Sequence, residues 1–303
     1  MNHVVWTEWA DLEAPDGVTL LSPTNQALEG DGLDRVTFYV PPYMSGLAGL
    51  EPVTQMPNLQ HLQLPNAGYD DAVAFARDGV SIYNARGVHD MSTAELALAL
   101  TLASNRGFGD FHRAQAHGQW KPARYQSLWR ARVGIIGYGS IGQTIARLME
   151  PFDAEIVPFT ASGRNGTHTL ESLQVELPTL DVVVLILPAN PNTVGLVDKA
   201  FLSQMKDGAL LVNVARGPIV VTDDLVAELR TGRIRAAVDV TDPEPLPPGH
   251  PLWSLDNIII SPHVGGNSSA FEPRMRKLIY TQLEKLVADQ PLDNVVMVGT
   301  QHS

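Results

Sequence analysis

Short apolar runs alternate with segments of helical period along the whole chain, the rhythm of parallel strands joined by helices. In the first third the runs fall at 4–6, 18–21, 36–39, 59–64 and 80–83, with turn residues between them. Six more follow, at 133–136, 156–159, 182–187, 210–214, 236–240 and 258–260. These six suit a parallel sheet covered on both faces, where strands are apolar throughout rather than alternately. Helical patterns fill the gaps, and the one over 222–231 stops at Gly232. Between the two sets, Ser92-Thr93-Ala94-Glu95 precedes the apolar run 96–102 and predicts a capping box. The helix it opens would run to about Gly118. A last helical pattern over 272–289 lies beyond the sixth strand and is expected to pack back on the first set.

The first run of the second set leads into Gly137-Tyr138-Gly139-Ser140-Ile141-Gly142, followed by a helical pattern. A G-x-G-x-x-G between a strand and a helix is the context a dinucleotide loop needs. Gly137 would allow the tight turn, Gly139 the approach of a pyrophosphate, and Gly142 close helix–strand packing. An NAD-selective site usually carries Asp or Glu at the end of the next strand, bonded to the ribose 2′-hydroxyl. This chain has Thr160, then Ala161, Ser162, Gly163 and Arg164. Two hydroxyls and a cation suit a 2′-phosphate, so NADP is the expected preference, with NAD as the alternative.

Ligands of doubly wound sheets bind beyond the carboxyl ends of the strands. After the fourth strand of the second set stands Arg216, and after the sixth His263. After the fifth, D-V-T-D-P-E-P-L-P places Glu244, with Asp239 at the strand end and Asp242 between. An arginine, a carboxylate and a histidine beside a nicotinamide suit hydride transfer between a 2-oxo acid and a 2-hydroxy acid. His263 would exchange the proton with the substrate oxygen. Glu244 would orient the ring and favour its cation. Arg216 would bind the substrate carboxylate and polarise the carbonyl.

Composition narrows the field. At about 150 residues per domain, 303 residues predict two domains. The absence of cysteine excludes disulfides, zinc–thiolate sites, iron–sulfur clusters and a cysteine nucleophile. A formal charge of −12 argues against non-specific nucleic-acid binding. No apolar stretch approaches the ~20 residues of a membrane span, and M-N-H-V-V-W-T-E-W does not read as a secretory signal. A cytoplasmic protein acting on a small molecule, with no metal, is the expectation.

Five motifs together resemble the D-isomer-specific 2-hydroxyacid dehydrogenase family, over about 59–294. They are G-Y-G-S-I-G, L-P-A-N-P-N-T at 187–193, N-V-A-R-G-P-I-V at 213–220, A-A-V-D-V-T-D-P-E-P-L-P and S-P-H-V-G-G. The resemblance implies an α/β protein: a doubly wound, parallel, six-stranded Rossmann domain over 97–271, and a smaller flavodoxin-like substrate domain from 1–96 and 272–303. It makes Arg216, Glu244 and His263 catalytic, choosing Glu244 over Asp242 and Asp239 by its place five residues after the strand-end aspartate. It extends the cofactor contacts to Ser140, Ile141, Pro188, Thr193, Val214, Ala215, Asp239 and Gly265. The backbone of Ala67 and Gly68, in N-A-G-Y-D, would join Arg216 and His263 in binding the substrate carboxylate. A homodimer through the helix near Ser92–His117 is implied as well. T-A-S-G-R resembles the NADP-preferring glyoxylate and hydroxypyruvate reductases of the family, which makes glyoxylate, hydroxypyruvate or a bulkier analogue the expected substrate. The first 58 or so residues, where substrate-selecting side chains would lie, match no subgroup pattern. Two other readings are a different oxidoreductase of the superfamily and a non-enzymatic, nucleotide-sensing corepressor. Formate dehydrogenases carry glutamine where this chain has Glu244.

Overall fold

The computed structural model describes residues 3–23, 32–163 and 165–299. In chain order the first strands are β1 (His3–Trp6), β2 (Val18–Leu21), β3 (Phe38–Tyr39), β4 (His61–Gln63) and β5 (Ser81–Tyr83). Helices α1 (Asp90–Asn105) and α2 (Phe108–Ala116) follow, then β6 (Arg132–Ile136), α3 (Ser140–Met149) and β7 (Glu155–Phe159). Next come α4 (Leu173–Glu176), β8 (Val182–Leu185), α5 (Lys199–Gln204), β9 (Leu210–Asn213) and α6 (Thr222–Arg230). The chain continues through β10 (Arg235–Val238), β11 (Ile258–Ile260), α7 (Phe271–Val287) and β12 (Val295–Met297). Every run assigned above to a strand contains or overlaps one; β12 falls in Val295-Val296-Met297-Val298, a short apolar run that is not among those assigned.

Two compact units result: Met1–His89 with Ser269–Ser303, and Asp90–Ser268. These divisions lie a few residues before the expected ones at 96/97 and 271/272. Helix α1 belongs to the second unit from its first turn, where Ser92 Oγ and Ser268 Oγ share a 2.8 Å hydrogen bond. That corrects the capping box: Ser92 lies inside the helix, which begins at Asp90. The single helix expected to run to about Gly118 is also two helices. Gly107 breaks it at φ 70°, and the Tyr125 ring occupies the place where a Cβ would stand.

The second unit holds a fully parallel sheet in the order β11-β10-β9-β8-β6-β7, whose direction of growth reverses beside β6. Its strands β8 and β9 are wholly buried, apolar throughout in β8 and up to Asn213 in β9. The first unit orders its strands β12-β5-β4-β3-β1-β2, all parallel except β12, which runs antiparallel to β5. Helix α7 is tied into this unit by a buried amide pair. Gln282 Nε2 donates to Gln63 Oε1 (2.9 Å) and to Asp293 O, while Gln282 Oε1 accepts from Asp293 N. Gln63 Nε2 donates to Leu64 O and Asn84 O, so every polar atom of that buried pair is used, the condition for burying amides without penalty.

At the amino end of this sheet His61 is partly buried, with Nδ1 3.1 Å from the Tyr83 hydroxyl. Burial, and secondarily His3, push its pKa down from 6.5 to about 4. On acidification the unfolded chain therefore takes up this proton near pH 6.5, whereas the folded chain resists until about pH 4. Stability is full above the upper value and falls across the window, by about 3 kcal/mol for a shift of this size. His61→Gln removes that fall: denaturant unfolding of both proteins at pH 7 and pH 4 gives a smaller pH dependence for the variant.

Candidate active site

The loop from β6 to α3 shows why glycine is required at two of its three positions. A Cβ on Gly137, at φ 104°, would stand 2.1 Å from the Ile186 carbonyl oxygen. One on Gly142 would stand 2.4 Å from the Gly137 oxygen. Gly139 instead faces open space, with no atom within 4 Å of a built Cβ. The first bond inside α3 runs from Gln143 N to Gly139 O, so the amides of Ser140, Ile141 and Gly142 precede the helical ladder. Open backbone at a helix N-terminus fits a dinucleotide pyrophosphate.

At the end of β7 no carboxylate stands in the ribose position. Thr160 Oγ1 shares a 2.7 Å bond with Thr167 Oγ1 and accepts from the Gly163 amide. Ser162 is exposed. Arg164 lies outside the described residues.

After β8, Pro188 is exposed and Thr193 is buried. The Thr193 hydroxyl donates to Pro188 O (2.7 Å) and accepts from Asn190 N (2.9 Å), which shapes the turn. Val214 and Ala215, after β9, are buried too, so what they can offer a ligand is backbone. Asn213 pins this turn, accepting from Ala215 N and donating to Arg216 O. Arg216 is half-buried, with Nη1 donating to Ala215 O at 2.7 Å. A Cβ on the next residue, Gly217, would meet Thr241 O at 1.9 Å. The turn carrying Arg216 thus packs backbone to backbone on the segment that leads to Glu244.

The segment after β11 is held by Asp239, at the end of β10 and 3% exposed. Its carboxylate accepts from Ser261 Oγ (2.6 Å), Val264 N (2.9 Å) and Gly265 N (2.8 Å), while its carbonyl accepts from His263 N (2.7 Å). Gly265 is buried against that carboxylate. Within this clamp His263 adopts φ 52°, a left-handed conformation that a side chain rarely takes without such support. Its Nδ1 lies 2.5 Å from Glu244 Oε1, and both side chains are about two-fifths exposed. With Nδ1 engaged, Nε2 is the nitrogen left to meet a ligand.

The third group of residues belongs to the first unit. Ala67 and Gly68 follow β4 in a turn fastened by Asn84 Nδ2 to Ala67 O (2.7 Å), Ala85 N to Asn66 O (2.8 Å) and His89 Nε2 to Pro65 O (2.7 Å). The sequence gives no notice of Asn213, Ser261, Asn84 or His89 as supports. Each is a common polar residue whose partner is set by the fold. Among the described residues no cluster of His, Asp and Glu has the makings of a metal site, and no helix is long and apolar enough to cross a membrane.

Comparison with known proteins gives this geometry its context. Residues 98–265 match the family model described as D-isomer specific 2-hydroxyacid dehydrogenase, NAD binding domain. An uncharacterized protein in the proB 3′ region of Corynebacterium melassecola is 31% identical over 292 residues, 92% of this chain and 96% of that one. The Mus musculus glyoxylate reductase/hydroxypyruvate reductase is 34% identical, over 69% of this chain and 68% of its own. Among solved structures, a D-isomer specific 2-hydroxyacid dehydrogenase from Xanthobacter autotrophicus Py2, in complex with NADPH and MES, superposes with a TM-score of 0.77. It is 27% identical, and the match covers 98% of both chains. The chain belongs to the D-isomer-specific 2-hydroxyacid dehydrogenases, enzymes that pair a nicotinamide cofactor with a small 2-hydroxy acid.

Proposed function

We propose that this enzyme uses NADPH to reduce a small 2-oxo acid to its D-2-hydroxy acid. The observation that carries the proposal is the 2.5 Å contact between His263 Nδ1 and Glu244 Oε1, on a loop clamped by Asp239. When bound, the nicotinamide supplies hydride to the carbonyl carbon. His263 delivers the balancing proton from Nε2 to the carbonyl oxygen. Glu244 holds the ring in the tautomer and orientation for that transfer and stabilises the cation. Arg216 pairs with the substrate carboxylate and draws charge toward the carbonyl oxygen. The Ala67 and Gly68 amides hold the same carboxylate.

The NADP preference rests on the hydroxyls of Thr160 and Ser162 and on Arg164, where a carboxylate would repel a 2′-phosphate. The NADPH complex of the Xanthobacter relative supports it. A homodimer is supported by the aromatic side chains displayed on α2 and beyond it. Phe108 and Phe111 are exposed, Trp120 is almost fully so, and no α2 residue is buried.

Three outcomes test these readings. His263→Ala lowers kcat by about 10²- to 10⁴-fold while NADPH binding, followed by fluorescence, stays near wild type; undiminished turnover removes His263 from the reaction. Thr160→Asp keeps an acceptor for the Gly163 amide, so the loop survives, yet the ratio of kcat/KM for NADPH over NADH drops tenfold or more, about 1.4 kcal/mol. Sedimentation of the wild type gives the dimer mass, and Phe111→Glu with Trp120→Glu gives the monomer.

A further inference from the structure

The residues around Ala67 and Gly68 point to the kind of substrate. Adjacent strands β5, β4 and β3 present their carboxyl ends side by side. The turn after β5 carries an exposed cation, Arg86. The turn after β4 carries the Ala67–Gly68 backbone. The turn after β3 is of another character: from Val36 to Leu50 the sequence has no charged residue. Exposed loops are ordinarily where charge collects, yet here Met44 is 55% exposed and Leu47 57% exposed.

This apolar turn is a built feature. Tyr39 Oη donates to Gly49 O (2.6 Å), Ser45 Oγ donates to Pro42 O (2.6 Å), and Tyr43 N donates to Glu8 Oε1 (3.1 Å). The Tyr43 ring stacks on Phe271 with centroids 3.8 Å apart. Met44 holds a left-handed backbone at φ 63°, a costly conformation for a side chain, kept by the bonds on either side. The loop spends this order on displaying two aliphatic groups to solvent. The Glu8 carboxylate beside it opposes any anionic group placed there.

We infer that the side chain of the preferred 2-oxo acid is uncharged and aliphatic, and lies on Met44 and Leu47 while its carboxylate sits at Ala67 and Gly68. The inference rests on the proposed reduction and on the carboxylate cradle. Across the three turns, cation, amide backbone and apolar side chains follow one another, the polarity of a molecule with an anionic head and a hydrocarbon tail. A phosphate or second carboxylate at the tail would meet Glu8 and two aliphatic groups. Such a tail is implied by the name of D-3-phosphoglycerate dehydrogenase, to which the chain is also similar.

The experiment measures kcat/KM with NADPH for glyoxylate, pyruvate, 2-oxobutanoate, 4-methyl-2-oxopentanoate, 2-oxoglutarate and 3-phosphohydroxypyruvate. For the wild type, each added methylene raises kcat/KM about three- to fivefold, and both dianions rank below pyruvate. Met44→Lys and Leu47→Lys, exposed and so expected to fold, flatten this gradient by raising KM for the larger monoanions more than for glyoxylate. A flat or falling series in the wild type, or a gradient untouched in both variants, overturns the inference while glyoxylate turnover leaves the reduction itself standing. Failure of every 2-oxo acid, glyoxylate included, overturns the proposed function. Conversion of the dimer to a monomer by either lysine variant, with the gradient intact, assigns the apolar turn to a second copy of the chain instead.

Discussion

The buried carboxylate of Asp239 is the constraint on which the arrangement of the site depends. It ends β10, deep in the second unit, and takes hydrogen bonds from three groups of the segment 261–265. A buried anion is tolerated only when it is fully bonded, so the segment has little freedom to move away from it. His263 is threaded through this clamp in a strained backbone conformation, and its ring meets Glu244, which lies on the segment that follows the same strand. Ordering two exposed side chains costs conformational entropy. Here the backbone bears much of that cost in advance, and preorganised donors of this kind serve proton transfer well.

Close approach of backbone to backbone does the rest of the assembly. Gly217 lies against Thr241 and Gly137 against Ile186, each at a separation that no Cβ could share. The first contact brings the turn carrying Arg216 to the turn leading to Glu244. The second sets the β6–α3 loop against the end of β8, beside the reversal in strand order where doubly wound sheets bind ligands. In the first unit the corresponding device is polar. The Gln63–Gln282 pair spans 219 positions of sequence and joins the returning helix to the sheet that the N-terminal segment builds.

The sequence announced the strands well because parallel strands buried on both faces must be apolar throughout, and burial on both faces is written locally. The Gly137–Gly142 loop was legible for a similar reason: three glycines between a strand and a helix have few other uses. Thr160 was equally informative by what it is not. Helix starts were less legible. Ser92-Thr93-Ala94-Glu95 has the local form of a capping box, but the hydroxyl is drawn inside the helix by Ser268, which lies 176 positions away. The break at Gly107 depended likewise on Tyr125 coming to rest over it.

By itself, then, the sequence determined the α/β rhythm, the dinucleotide loop, the family and the identities of Arg216, Glu244 and His263 as candidates. The rhythm and the loop follow from periodicities and short spacings that a chain carries in one dimension, while the family and the choice of Glu244 over Asp242 and Asp239 follow from the resemblance of five short motifs. Only the tertiary structure decided that His263 Nδ1 faces Glu244, that Asp239 holds the segment carrying His263, and that the uncharged turn after β3, the strand next to the one that leads to Ala67, shows Met44 and Leu47 to solvent. Each of these joins residues from different strands or turns, and the partner of a polar side chain, or the exposure of an apolar one, is set by the packing of segments far apart in the chain.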